Sequence, residues 1–238
     1  MMDLSLALTS LPELMDGVQV TLQLTGLTLI CGILLALPIG ILRAGDGWAS
    51  RALWVYTYVF RGTPMLVQLF LIYYGLAQFR EVRASALWPF LREGWWCCLI
   101  AFSLNTAAYT AEIIAGALRN VKSEDVEAAR AFGMSEWRIL TRIKLPVALR
   151  LLWPAYTNEA IFVLQSTSLA SLVTVLDLTG IARVIIARTY SPYEIFITAA
   201  ILYLCLTYGL LWVFRRVEHR LYRHLRASPA EALSLRAT

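Results

Sequence analysis

Residues 127–146, EAARAFGMSEWRILTRIKLP, form a charged stretch between two long apolar segments, and their order decides how the whole chain is read. Glu127-Ala128-Ala129 is followed after three residues by Gly133 and, after nine more, by Ile143-Lys144-Leu145-Pro146. Ser123 is placed to cap a helix whose first turn holds Glu124 and Asp125, both favourable beside the positive end of a helix dipole. Gly133 supplies the left-handed residue that ends this helix. Ser135 then starts a second one through Glu136 to Lys144, and Pro146 is expected to disrupt its continuation. The stretch therefore predicts a short helix, a sharp turn and another helix outside the apolar segments. Composition alone also fits an amphipathic connector lying among lipid headgroups, anchored by Trp137 and the arginines.

Outward from this stretch the chain is 59% hydrophobic and 16% charged, whereas a soluble domain is about half apolar and about a quarter charged. That composition belongs to an integral membrane protein, and apolar segments of helix-spanning length make it an all-α one. Five segments, residues 18–42, 53–79, 95–118, 151–176 and 193–214, each offer the roughly twenty mainly apolar residues that a bilayer crossing needs. Residues 1–17 are left as an N-terminal segment, 119–150 as the charged loop and 215–238 as a basic tail. The net charge of +5 does not indicate nucleic acid, because the basic residues flank apolar runs and form no patch with stacking aromatics.

The first twenty residues hold Asp3, Glu13 and Asp16 but no Lys or Arg, so the basic start of a cleavable signal is missing and the N-terminus is expected on the periplasmic side. Five crossings then put the 119–150 loop and the tail in the cytoplasm, with 16 of the 21 Lys and Arg residues on that side, as the positive-inside rule expects. Trp88, Trp95 and Trp96 fit an aromatic belt at one interface, and Trp48, Trp54 and Trp212 at the other. Cys31, Cys97, Cys98 and Cys205 lie in apolar segments without metal-ligand spacing, and no metal site is expected. His219 and His224 stand in the basic tail as solvated surface groups.

Ionisable residues inside a span are costly and need a partner or a cavity. Two occur, Glu112 and Glu159. Asn105, Tyr109 and Glu112 share one helix face, as interhelical hydrogen-bonding groups or as the lining of a pathway. Asn158 and Glu159 recur seven residues later as Gln165 and Ser166, a polar stripe that fits either substrate contact or a subunit interface. Arg61-Gly62-Thr63-Pro64 combines a helix breaker with a flexible residue, which fits a gate or hinge, or a local kink with Arg61 reaching the phosphates.

The 127–146 spacing resembles the EAA signature of ATP-binding-cassette (ABC) importer permeases. The segments Phe60-Arg61-Gly62-Thr63-Pro64 with Val67-Gln68-Leu69, Asn105 to Glu112, and Asn158-Glu159 with Ser166-Thr167-Ser168-Leu169 resemble the polar amino-acid uptake branch. Similarity covers nearly the whole chain and is greatest to M-type permeases of histidine/lysine/arginine/ornithine importers, with opine permeases as near relatives. Many members of that branch carry an acidic residue where Ser166 stands, as M-type subunits do not.

The resemblance implies a five-span type I importer permease working by alternating access. Glu127, Ala128, Ala129, Gly133, Ile143, Leu145 and Pro146 would form the coupling element, with Glu127 pairing on an ATPase and Gly133 setting the turn. It further implies a Q-type second permease, two ATPase subunits binding ATP and Mg, and a periplasmic amino-acid-binding protein. The chain itself has no phosphate-cradling GxxxxGK[ST] sequence, and no enzymatic activity is expected of it. The rival readings are an ion-coupled secondary transporter or channel, and a membrane-embedded enzyme.

Overall fold

The computed structural model describes residues 4–221; the expectations for residues 1–3 and for 222–238 of the basic tail, His224 among them, lie outside the described residues. Eleven helices follow one another: α1 (Leu4–Arg43), α2 (Trp48–Gly62), α3 (Met65–Phe70), α4 (Arg80–Arg83), α5 (Trp88–Leu91), α6 (Gly94–Arg119), α7 (Ser123–Ala131), α8 (Glu136–Ile139), α9 (Leu145–Ser166), α10 (Leu178–Thr189) and α11 (Pro192–Leu221). Three of them, spanning Ser5–Arg43, Gly94–Arg119 and Pro192–Arg220, are long and apolar enough to cross a bilayer. A fourth crossing is available if the bent pair Trp48–Gly62 and Met65–Gln78 counts as one. The 22-residue α9 carries Arg150 and Glu159 and is not among them. Among the described residues, length and apolarity thus give three to four crossings where five are expected.

α1 begins far upstream of residue 18. The expected separate segment at 1–17 is helical from Leu4, because Leu14 and Val18 are buried against Leu178, Ala182, Ile185, Ile195 and Ala199 of α10 and α11. Close approach of α1 to α6 is made by small residues one turn apart. A Cβ on Gly32 would lie 2.2 Å from Cγ2 of Thr106, and one on Gly40 would lie 2.7 Å from Cβ of Ile114, with Ala36 fully buried between them.

The expected second span, 53–79, is broken: α2 and the helix after it meet at 103°. Thr63 (φ −116°, ψ 143°) and Pro64 (φ −62°, ψ 134°) are extended, as expected where proline pushes its predecessor out of the helical region. Gly62 does not make the break. Its φ is not positive, and an added Cβ would meet nothing within 4 Å. Beyond α3 the chain widens into a π turn (Leu71–Gly75) and tightens into a 3₁₀ turn (Leu76–Gln78).

The expected fourth span, 151–176, starts earlier and ends earlier. Pro146 does not stop the helix after α8: a π turn at Leu140–Lys144 leads directly into α9, whose second residue is the proline. At the other end Thr167, Ser168 and Ser171 donate their hydroxyls to the carbonyls three residues back, at 2.7, 2.7 and 2.9 Å. Such local bonds compete with the α-helical ladder, and the segment Thr167–Leu172 is a 3₁₀ helix.

α10 has no counterpart among the expected elements. Asp177 caps it, accepting from Thr179 N (3.1 Å) and Gly180 N (3.0 Å), and Tyr203 of α11 donates to the same carboxylate at 3.0 Å.

Candidate functional site

The charged loop folds as a helix–turn–helix. Gly133 has φ +73°, and Gly133 N and Met134 N reach back to the carbonyls of Arg130 and Ala129 at 2.9 and 3.1 Å. Two details differ from expectation. Ser123 is the first residue of α7, not its cap, and Ser135 precedes α8 in extended backbone without a side-chain capping bond. Val126 and Ala129, one turn apart, face inward together with Ile139, and Ile143 and Leu145 pack on the same cluster beside Ala111, Ile114 and Leu152. The opposite side is open: Phe132 is 88% and Trp137 72% exposed, and Glu127 and Ala128 are exposed too.

Arg130 of α7 donates to Glu136 of α8 at 2.7 Å, tying the two arms, and this hydrogen bond holds the Glu136 carboxyl below its ordinary range. A cavity of about 550 Å³ lies between the two arms and the ends of α1 and α6, lined by Ile41, Leu118, Arg119, Glu127, Trp137 and Lys144 among others.

The α2–α3 break removes hydrogen-bond partners from carbonyls, and α6 and α3 replace them. Pro64 has no N–H for Phe60 O; Gln68 Nε2 donates there at 2.8 Å and Asn105 Nδ2 at 3.3 Å. Gln68 Nε2 also bonds Thr63 O (3.1 Å) and Thr63 Oγ1 (2.7 Å), and Asn105 Nδ2 donates to Gln68 Oε1 at 2.9 Å. Tyr109 OH donates to Arg61 O at 3.2 Å, and the Arg61 guanidinium lies 5.3 Å above the Tyr109 ring. Asn105, Tyr109 and Glu112 therefore all face α2 and its break, as their spacing on one face requires.

Glu112 is engaged by Arg43 of α1, whose Nε and Nη2 donate to its two oxygens at 2.8 and 3.2 Å. Thr57 of α2 donates to the same carboxylate at 2.7 Å, and Arg43 Nη1 donates to Ser50 at 3.0 Å. This cluster joins three helices and leaves Glu112 little capacity for another ligand.

Glu159 is 7% exposed and accepts a 2.6 Å hydrogen bond from Thr106 of α6. Ser166 is buried as well, but Asn158 and Gln165 are exposed. The expected single stripe thus splits into two, one turned into the bundle and one turned out. Arg43, Thr57, Gln68 and Thr106 complete these sites without having been assigned roles, since each meets its partner from a distant segment or across a break. Thr106 alone carries a local signal, as a hydroxyl three residues before Tyr109 on the polar side of α6.

Membrane-length helices, one of them sharply broken, packed around paired charges and carrying an external helix–turn–helix, define a multi-pass membrane transport component. The chain belongs to the family described as binding-protein-dependent transport system inner membrane component, which matches residues 29–223. It is 43% identical over 228 residues to the nopaline transport system permease protein NocM of Agrobacterium fabrum, covering 95% of each chain. It is 45% identical over 214 residues to the histidine/lysine/arginine/ornithine transport system permease protein HisM of Escherichia coli K12, covering 89% of this chain and 90% of that one. A crystal structure of an amino acid ABC transporter with histidines superposes with a TM-score of 0.82 at 30% identity, over 92% of this chain and 99% of that one. An inward-facing MetNI methionine ABC transporter shares the fold, with a TM-score of 0.75 at 21% identity over 90% and 98% of the two chains.

Proposed function

We propose that the chain is the transmembrane permease subunit of an ATP-driven importer that moves polar amino acids by alternating access, its cargo being histidine, lysine, arginine, ornithine or opines. The observation that carries this reading is the two-sided helix–turn–helix. One face, Val126, Ala129 and Ile139, is anchored in the bundle, while Phe132 and Trp137 stand uncovered on the other. Exposed aromatic side chains beside a rigid anchor suit a partner surface that pushes on the bundle.

In this reading Glu127 and Ala128 meet an ATPase subunit, Gly133 sets the turn, and Ala129, Ile143, Leu145 and Pro146 pass the movement to α1, α6 and α9. Two ATPase subunits bind ATP and Mg; this chain does neither. A homologous Q-type permease completes the pathway, and a periplasmic binding protein delivers the cargo. α9 is the fifth crossing, with its charges shielded by protein. The N-terminus lies on the periplasmic side of a bacterial inner membrane, and α7, α8 and the C-terminus lie on the cytoplasmic side. Glu159 and Ser166 contact substrate from within the bundle, Asn158 and Gln165 complete the pathway toward the second permease, and Arg61 to Pro64 serve as a gate or hinge.

The test is uptake by the reconstituted complex. Uptake is expected to require ATP, and Gly133→Val is expected to abolish it while membrane insertion persists. Uptake that runs on an ion gradient without ATP would replace this reading with the secondary-transporter one.

A further inference from the structure

Arg61, the penultimate residue of α2, is exposed, yet it is fixed to α6 twice, by its carbonyl on Tyr109 OH and by its guanidinium over the Tyr109 ring. Among the described residues no carboxylate lies within ion-pair distance of Arg61; Glu112, on the same helix face, is paired with Arg43. Glu159 is fixed to the same helix three residues earlier, through Thr106. Thr106 and Tyr109 are surface neighbours, separated along the axis by about 4.5 Å. The Tyr109 ring in turn sits 6.4 Å from Phe162, one turn beyond Glu159 on α9. A guanidinium and a carboxyl group are therefore held on adjacent turns of α6, with an aromatic pair beside them.

Unpaired charges within a membrane span are costly, and each calls for a counter-charge. We infer that Arg61 and Glu159 are the two poles of one subsite for a ligand bearing both a carboxylate and an amine-type cation, the carboxylate docking on Arg61 and the cation on Glu159. This rests on the reading of Glu159 as a substrate contact and adds the second pole. It gives a chemical reason for such a site to admit amino acids over simple amines, which offer nothing to Arg61 and are repelled by it.

The test is equilibrium binding of radiolabelled L-arginine to the complete purified complex in lipid nanodiscs, with L-arginine methyl ester and agmatine, both lacking a carboxylate, as competitors. Wild type is expected to bind either competitor about tenfold or more weakly than arginine, the value of one charge-assisted contact. Arg61→Gln should lose that preference by weakening arginine alone, Arg61→Lys should regain part of it, and Glu159→Gln should weaken all three ligands. Equal binding of arginine and agmatine by wild type overturns the inference without recourse to a variant. An Arg61→Gln complex that keeps the preference while Glu159→Gln weakens every ligand overturns the role of Arg61 alone. A Glu159→Gln complex that binds all three as wild type does overturns the Glu159 reading and the subsite with it.

Discussion

Thr106 donates a 2.6 Å hydrogen bond to Glu159 from α6, and the methyl group of the same threonine fills the notch left on α1 by Gly32. One side chain thus sets both the distance between two helices and the position of a buried carboxylate on a third.

Gly32→Ala should be disproportionately damaging. The added Cβ would lie 2.2 Å from Thr106 Cγ2, and overpacking of this kind costs about 1–3 kcal/mol. Thr106→Ser removes the obstructing methyl and keeps the hydroxyl, so the double variant should recover most of the lost thermal stability of the purified complex. A double variant no more stable than Gly32→Ala would show that the clash is not with Thr106.

At Gly133 the constraint is conformation, not space. A Cβ there meets nothing within 4 Å, but φ is +73°, a region that costs an ordinary residue about 1–2 kcal/mol and a β-branched one more. Gly133→Asn should therefore retain substantial uptake where Gly133→Val loses it, as measured in reconstituted vesicles.

Breaking the Arg43–Glu112 pair from one side should cost more than removing it. The side chains are only 10% and 18% exposed, and stranding one charge of a buried pair costs about 3–5 kcal/mol, somewhat less where some solvent reaches it. Glu112→Leu or Arg43→Met alone should lower Tm more than the two together, and a strictly additive double-mutant cycle would disprove the coupling.

Pro64→Ala restores an N–H opposite the carbonyl of Phe60, which Gln68 and Asn105 otherwise satisfy. The 103° bend should open, measurable as longer electron-spin distances between labels placed in α2 and α3. An unchanged distance would mean that the side chains of Gln68 and Asn105, not the proline, hold the break.

The Arg130–Glu136 bond lowers the Glu136 pKa, so the folded loop binds that proton less readily than the unfolded chain does. Its contribution is present above the ordinary carboxylate pKa and is lost as pH falls through the lowered one. Arg130→Gln should move the Glu136 titration, followed by infrared spectroscopy of the carboxyl, upward toward its ordinary range.

Long, mainly apolar runs make α6 and α11 easy to read from the sequence, and the positive φ of Gly133 follows from its place between two charged helical stretches. The start of α1 is not readable in this way, because Thr9, Glu13 and Asp16 interrupt the apolar run while Leu14 and Val18 are buried by helices more than 150 residues away. α10 is too short for a hydropathy scan of crossings, although a capping Asp177 followed by apolar Leu178, Ile181, Ala182 and Ile185 announces it locally. Spacing puts Asn105, Tyr109 and Glu112 on one face, but it does not reveal that Glu112 belongs to Arg43, 69 residues away. The stripe through Asn158 to Ser166 divides because neighbours one residue apart on a helix point about 100° apart, and only Glu159 and Ser166 fall on the buried side.

The 40 residues of α1 make a rod of about 60 Å, roughly twice the hydrocarbon thickness of a bilayer. A rod that overshoots the slab at any ordinary tilt is indifferent to modest thinning or thickening of the lipid. The 26-residue α6, at about 39 Å, is close to a match. The response of the subunit to acyl-chain length is therefore set by its shorter crossings, among them α6, the helix to which Thr106, Tyr109 and Glu112 all belong.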